Sequence, residues 1–268
     1  MRAPDAIARA PLSDELAGIV REAGALAEGK FRGTYKSWTK GGGSPVTDAD
    51  IAVDNFLRER LMRLAPDCGW LSEETEDDSA RLDTPRLWIV DPIDGTRAFA
   101  SGRTDWAVSV ALVENGRPIM AALYAPVEDG LYFAAAGEGT TQNGTPIAVS
   151  PGGELAQARA AGPKGLLERL AQAEPAIIAE PKVFSLALRL ARVAAGRLEV
   201  AFASSDANDW DLAAVDLMVH EAGGTLTDFD GDAAIYNLAE SKHRTLVAAG
   251  RARHQRVLEI WRERRPAA

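Results

Sequence analysis

Leu87-Trp88-Ile89-Val90-Asp91-Pro92-Ile93-Asp94-Gly95-Thr96 is the stretch on which the reading of this chain turns. Its apolar start predicts a buried strand over about 86–90. That strand would deliver two carboxylates to its C-terminal end, with a proline between them. Gly95 permits a tight turn after them and Thr96 adds a hydroxyl. Two acids on so rigid a corner repel each other unless a cation lies between them, and hard divalent cations take carboxylate and carbonyl oxygen. Read alone, the run fits equally an Asp-Pro/Asp-Gly turn whose acids cap backbone amides.

Three other acidic stretches stand apart from it. Trp70-Leu71-Ser72-Glu73-Glu74-Thr75 has the look of a second strand end with carboxylates at its tip, or of a solvated acidic loop running on into Glu76, Asp77 and Asp78. Asp209-Trp210-Asp211 opens an apolar pattern that predicts a helix over 211–222, stopped by Gly223-Gly224. Asp211 falls in its first turn, where a carboxylate suits the helix dipole and also serves as an ordinary cap. Pro45-Val46-Thr47-Asp48-Ala49-Asp50 leads into an amphipathic helix, with Thr47 as N-cap and Asp50 at the capping-box position. The preceding Lys40-Gly41-Gly42-Gly43-Ser44 is a flexible loop and not a phosphate-binding P-loop, since no Gly-Lys-Ser/Thr follows. Asp48 and Asp50 follow a loop rather than a hydrophobic strand, which sets aside an aspartyl-phosphate phosphatase.

Pro45-Val-Thr47-x-x-Asp50, Ser72-Glu73-Glu74, Asp91-Pro-Ile-Asp94-Gly95-Thr96 and Trp210-Asp211 followed by Glu221-Ala-Gly-Gly224 occur in this order. Together they resemble the inositol monophosphatase family of magnesium-dependent, lithium-sensitive phosphomonoesterases, over roughly residues 30–250. The resemblance implies Mg2+, two or three ions. Glu73, Asp91 and the Ile93 carbonyl would hold one, and Asp91, Asp94 and Asp211 a second. It further implies that Thr96, supported by Asp50 and acting with Glu73, orients and helps deprotonate the attacking water. The amides of Gly95 and Thr96 would meet phosphate oxygens. Two cations close together neutralise a phosphate dianion, lower the pKa of water and stabilise the leaving oxygen. No Cys, His or Ser nucleophile is needed. His220, His243 and His254 read as structural or solvated, and Cys68 as a small buried residue.

The chain has 268 residues, a net charge of −9 and one cysteine. That charge argues against a nucleic-acid polymer as partner but not against a small phosphorylated metabolite, because bound metals set the local sign. One cysteine excludes an intramolecular disulfide. No secretory signal and no apolar run of membrane-spanning length are seen, so cytoplasmic is the expectation. Helices are expected over 13–29 and 48–65, then strands at about 86–90, 106–113, 117–125 and 130–135, with Asn115-Gly116 as a hairpin turn. Strand 106–113 is apolar on both faces, as a doubly covered strand should be. Beyond Pro146 the expectation is helix 153–172, strand 176–179, helix 183–195, strand 198–203, helix 211–222, strands 224–228 and 245–249, and helix 251–263. The fold class is α/β, with an α+β N-terminal half (1–145) carrying most metal ligands and an α/β C-terminal half (146–268) carrying Asp211 and specificity elements, in one folding unit. The family's layered α-β-α-β-α sandwich fits this order, and its members are often homodimers.

Substrate choice is written less clearly. Members acting on inositol phosphate carry a Glu shortly before the Trp-Asp aspartate, where this chain has Ala203-Ser204-Ser205, with Asp206 nearby. Lys40 to Asp50, Ser72-Glu73-Glu74-Thr75, Arg97-Ala98-Phe99 and Asp228-Phe-Asp-Gly231 with Tyr236-Asn237 are more similar to the bacterial 3'(2'),5'-bisphosphate nucleotidase branch. A second phosphate wants a cation, for which Lys182, Arg97 and Arg103 are candidates. The expectation is therefore a bisphosphate nucleotidase, with inositol-1-monophosphatase or histidinol-phosphatase next. From another class comes a non-catalytic phosphate- or protein-binding module on the same fold.

Overall fold

The computed structural model describes residues 6–31, 33, 35–39 and 45–263, so that Lys40, the Gly41-Gly42-Gly43 run and Ser44 lie outside the described residues. In chain order the elements are α1 (Ala6–Phe31), β1 (Ser37–Thr39), β2 (Pro45–Thr47), α2 (Asp48–Leu64), β3 (Gly69–Ser72), β4 (Arg86–Asp94), α3 (Thr96–Ala100), β5 (Ala107–Glu114), β6 (Arg117–Ala125), β7 (Gly130–Ala135), β8 (Gly139–Gln142) and β9 (Thr145–Ile147). There follow β10 (Arg159–Ala161), α4 (Lys164–Ala173), β11 (Ile178–Ala179), α5 (Leu186–Ala194), β12 (Val200–Ala203), α6 (Asp209–Glu221), β13 (Gly224–Asp228), β14 (Leu246–Gly250) and α7 (Arg251–Glu263).

Strands β3 to β9 form a seven-stranded sheet in sequence order, while β11-β10-β12-β14-β13 make a five-stranded one. Helices α1 and α2 pack together on one face of the larger sheet, and α6 lies on its other face beside α5. Helix α5 also meets β12 and β14 of the smaller sheet, whose outer side carries α4 and α7. The resulting order is α-β-α-β-α, the layered sandwich expected from the sequence. Strand β5 explains the layering at residue level. Val108, Val110 and Leu112 join the core beneath α1 and α2, and Ala107, Ala111 and Val113 join the core beneath α5 and α6. A period of two on a strand buried on both faces requires both sets to be apolar.

Asn115 and Gly116 both take positive φ (51° and 75°) and close the β5–β6 hairpin, as the Asn-Gly pair predicts. Three expectations need correction. The helix predicted over 153–172 is instead strand β10 followed by the shorter α4. Gly162 and Pro163 divide the two. A Cβ on Gly162 would lie 2.8 Å from the Phe202 Cβ, so backbone and neighbouring strand approach too closely for any other residue, and Pro163 occupies the N-cap of α4. Helix α5 starts at Leu186 rather than 183, because Ser185 caps it by accepting from the Leu188 amide. Strand β4 extends to Asp94, beyond the predicted 90, with a bulge between Asp91 and Asp94 that takes up the proline.

Candidate active site

The two-residue period of β4 decides where its acids go. Leu87 and Ile89 face the α5–α6 layer while Trp88 and Val90 face α1 and α2, so Asp91 continues the first set toward α6. Strand β3 runs parallel to β4 with Leu71 opposite Ile89 and Ser72 opposite Val90. The next residues, Glu73 and Asp91, therefore emerge side by side at neighbouring strand ends, and the Glu73 amide donates to the Val90 carbonyl. From the opposite layer comes Asp211, in the first turn of α6. Oxygens of Asp91, Asp94 and Asp211 all lie within 4.8 Å of one another. Glu73 lines the same cavity, of about 890 Å³, together with Gly95, Thr96, Arg97, Lys164, Lys182 and Arg189.

Four of the acids, Asp91, Asp94, Asp211 and Asp50, accept from backbone amides. Asp91 Oδ1 accepts from the Ile93 amide at 3.0 Å. Asp94 accepts from the Ser185 hydroxyl (2.5 Å) and from the amides of Leu186 (3.2 Å) and Ala187 (2.6 Å), so it caps the start of α5. Asp211 Oδ2 accepts from the Asn208 amide at 2.6 Å. Asp50 Oδ2 accepts from the Thr47 amide and hydroxyl at 2.7 and 2.6 Å, and its Oδ1 lies 3.1 Å from Thr96 Oγ1. Capping and site-building are thus one arrangement: the cap fixes one oxygen and thereby aims the carboxylate.

Electrostatics set this cluster apart from ordinary caps. Burial, then the charges of Glu73, Asp94, Asp211 and Asp50, push the Asp91 carboxyl far above the usual carboxylate range. Burial and Asp94 raise Asp211 to about 7. Burial also raises Asp94 against the pull of its hydrogen bonds and of Arg189, and raises Asp50 against its bonds to Thr47 and Thr96. Like charges gathered away from water, all oxygen donors, suit a hard divalent cation, so the residues present fit the magnesium that the motifs imply.

Gly95 is obligatory at the turn after Asp94. Its φ is +93°, and a Cβ would meet the Asp105 carbonyl at 3.0 Å and the Ser185 amide nitrogen at 3.1 Å. Thr96 then opens α3, with its hydroxyl 3.0 Å from the Ile93 carbonyl.

Of the cations considered for a second phosphate, Arg97 and Lys182 line the cavity. Arg103 instead pairs with Asp105 at 2.9 Å and sits over the Phe184 ring. Ser204 and Asp206 line the wall where a carboxylate was missed, and Glu168 and Glu180 line it too. Asp228, Tyr236 and Asn237 serve structure: Asp228 closes a turn through the Asp230 and Asp232 amides, Tyr236 bonds Asp216, and Asn237 bonds Arg81. Sequence reasoning missed Ser185, whose place before an apolar helix is a cap signal. It also missed Arg189, read only as one of the residues of α5, and Asp54. Buried Asp54 accepts from the Ser72 hydroxyl (2.5 Å) and the Thr75 hydroxyl (2.7 Å), bracketing Glu73.

The inositol monophosphatase family model matches residues 9–265, and the chain belongs to that family of phosphatases. The family is magnesium-dependent. Its relatives divide by activity. The chain is 37% identical over 203 residues to an inositol-1-monophosphatase of Rhizobium meliloti (strain 1021), covering 72% of this chain and 75% of that protein. It is 36% identical over 200 residues to a histidinol-phosphatase of Mycobacterium tuberculosis (strain ATCC 25618 / H37Rv), covering 70% and 75%. To the 3'(2'),5'-bisphosphate nucleotidase CysQ of Shigella flexneri it is 30% identical over 239 residues, covering 85% and 95%. The solved IMPase of Thermotoga maritima superposes with a TM-score of 0.79 at 29% identity, covering 93% of this chain and 96% of that one. These phosphatases support an enzyme and set aside the non-catalytic module. Among the described residues no helix is long and apolar enough to cross a membrane.

Proposed function

We propose that this phosphatase hydrolyses the 3'-phosphate of adenosine 3',5'-bisphosphate or a closely related bisphosphorylated nucleotide. The supporting observation is the cavity wall beside the acids: Ser204 stands where a ring-binding carboxylate would be, and Arg97, Lys164 and Lys182 line the same space. Mg2+ held by Glu73, Asp91, the Ile93 carbonyl, Asp94 and Asp211 would supply neutralisation of the phosphate dianion and a lowered pKa for water. The chain's own groups do the positioning. The amides of Gly95 and Thr96, at the turn, meet phosphate oxygens. Thr96 Oγ1 accepts a proton from the attacking water as its own passes to Asp50 Oδ1, 3.1 Å away. Glu73 orients the same water from the neighbouring strand end. Apolar Val183 and Leu186 narrow the cavity beside Asp94.

Asp206, Glu180 and Glu168 favour a second reading. Asp206 would hold ring hydroxyls of inositol 1-phosphate, or the acids together would meet the ammonium of histidinol phosphate. Turnover of adenosine 3',5'-bisphosphate, inositol 1-phosphate, histidinol phosphate and fructose 1,6-bisphosphate, each with magnesium, decides between them. The nucleotide should have the highest kcat/KM, and a strong preference for inositol 1-phosphate or histidinol phosphate would overturn the nucleotidase reading. The same reading carries the expectation of a cytoplasmic homodimer, which sedimentation of the purified chain tests for assembly.

A further inference from the structure

Asp91 and Asp94 share strand β4, so its backbone fixes their separation. Asp211 comes from the opposite layer, and the start of α6 is therefore the part of the cluster that like charge would drive away in metal-free protein. Its capping box ties Asp211 Oδ2 to the Asn208 amide, within the same helix start. The restraint from outside the helix falls on Asp209, the first residue of α6, which is buried. Its oxygens go to the β13–β14 connection: Oδ2 accepts from the Asn237 amide at 2.9 Å, and Oδ1 lies 2.7 Å from His243 Nε2. A carboxylate oxygen accepts, so the imidazole nitrogen is the donor. Two backbone bonds run alongside, from the Asp209 amide to the Ser241 carbonyl and from the His243 amide to the Ala207 carbonyl, both 2.8 Å.

Arg81 ties the same connection to the other side of the site. It is buried, between β3 and β4. Its Nη1 donates to Asn237 Oδ1 at 2.7 Å and to the Leu238 carbonyl at 3.1 Å, while Nε and Nη2 donate to the two oxygens of Asp77 at 2.6 and 2.9 Å. Asn237 Nδ2 donates in return to the Arg81 carbonyl at 3.2 Å. Asp77 belongs to the acidic run that begins at Glu73. A path of hydrogen bonds thus joins the loop after Glu73 to the start of α6 through Asp77, Arg81, Asn237 and Asp209. The planar fork of a guanidinium fixes direction as well as distance along it. Asn237 takes a φ of +61°, a left-handed conformation that Asn tolerates, with its amide given to Asp209 and its side chain to Arg81.

We propose that Arg81 and His243 are positioning residues for the metal site: acting through Asn237 and Asp209, they hold Asp211 against Asp91 and Asp94 before any cation binds. Groups that stand behind a metal ligand set its orientation, and losing one typically costs about 10–100-fold in metal affinity. This rests on the reading of Asp211 as a magnesium ligand, and not on which phosphomonoester is hydrolysed.

Calorimetric titration of the metal-free protein with magnesium is the test, at a temperature where circular dichroism shows each variant folded. His243→Ala should raise the magnesium dissociation constant about 10-fold or more. His243→Gln, which keeps an N–H donor, should restore most of the affinity. Asn237→Gly retains the left-handed backbone and the amide to Asp209 but cuts the side-chain bond to Arg81, and it should weaken magnesium binding about 10-fold as well. It replaces His243→Ala if that variant melts early. Combined with Asp211→Asn, neither change should weaken binding further, because the group they place is gone. Additive losses in the double variants would mark a general effect on the fold and overturn the proposal. Native affinity in His243→Ala and Asn237→Gly, beside weakened binding in Asp211→Asn, would overturn it while leaving the ligand reading standing. Native affinity in Asp211→Asn would overturn that reading and the proposal together.

Discussion

Thr96 Oγ1 lies 3.1 Å from Asp50 Oδ1, joining two residues 46 apart in the chain. The bond exists because Asp50 spends its other oxygen on the capping box of α2, where Thr47 holds it, and turns this one toward the β4–α3 corner. Thr96→Ala should leave the fold intact and reduce kcat by about 10²–10⁴-fold, the usual worth of general-base assistance. Thr96→Ser, which keeps the hydroxyl, should recover most of the rate. Steady-state kinetics at saturating magnesium read both, and a Thr96→Ala enzyme of native kcat would remove the hydroxyl from the reaction.

Asp91 is the most crowded of the acids, with Glu73, Asp94, Asp211 and Asp50 all raising its pKa after burial. Asp91→Asn should abolish turnover and weaken magnesium binding. In metal-free protein the same change should raise the melting temperature, since it removes one of several mutually repelling buried charges. For the native chain, added magnesium should raise the melting temperature with increasing concentration, as for any ligand that binds only the folded state. Calorimetric titration and thermal melts follow these effects separately. Lost activity with native metal affinity would contradict the ligand role of Asp91.

Asp54 touches no other acid of the cluster, yet it holds the Ser72 and Thr75 hydroxyls on either side of Glu73. Asp54→Ala should free that loop and strand two hydroxyls, at about 1–3 kcal/mol of stability. The magnesium concentration for half-maximal activity should rise more than KM for substrate does. A loss of stability with no change in magnesium dependence would make Asp54 purely structural.

His254 supplies a pH dependence remote from the acids. It is buried in α7, 2.9 Å from Thr227 Oγ1, and burial lowers its pKa from 6.5 to about 4. Thr227 donates its own hydrogen to the Asp228 carbonyl, so the histidine is the donor in their bond. A folded-state pKa below the unfolded one means that the unfolded chain binds the extra proton between pH 6.5 and about 4. Stability from this group is present near neutrality, falls as pH drops through that window and is fully lost near its lower end. His254→Gln should therefore shrink the loss between pH 7 and 4.5 by about 2 kcal/mol relative to the native chain, measured by denaturant unfolding at both values. Identical losses in the two proteins would show that the imidazole titrates normally.

Local chemistry made much of the architecture legible. The apolar run of β5, the Asn115-Gly116 turn and the capping box of α2 each declare themselves within a few residues, because period, turn conformation and amide capping are short-range constraints. The failure over 153–172 came from a long-range one. Gly162 is glycine because Phe202, on a strand forty residues later, leaves no room for a Cβ, and that strand's position cannot be read from the glycine's own neighbours.

The sequence by itself determined which residues carry carboxylates, that β4 ends on two of them with a glycine turn behind, and that the chain alternates into layers. Only the tertiary structure decided that Asp211, from the far layer, meets Asp91 and Asp94 within 4.8 Å, that Asp94 caps α5, and that the buried Nε of Arg189 has no hydrogen-bond partner. The physical reason is reach. Backbone preference and hydrophobic period act over one or two turns, whereas the convergence of charges is set by how two sheets stack across a shared helical layer, and no single segment encodes that distance.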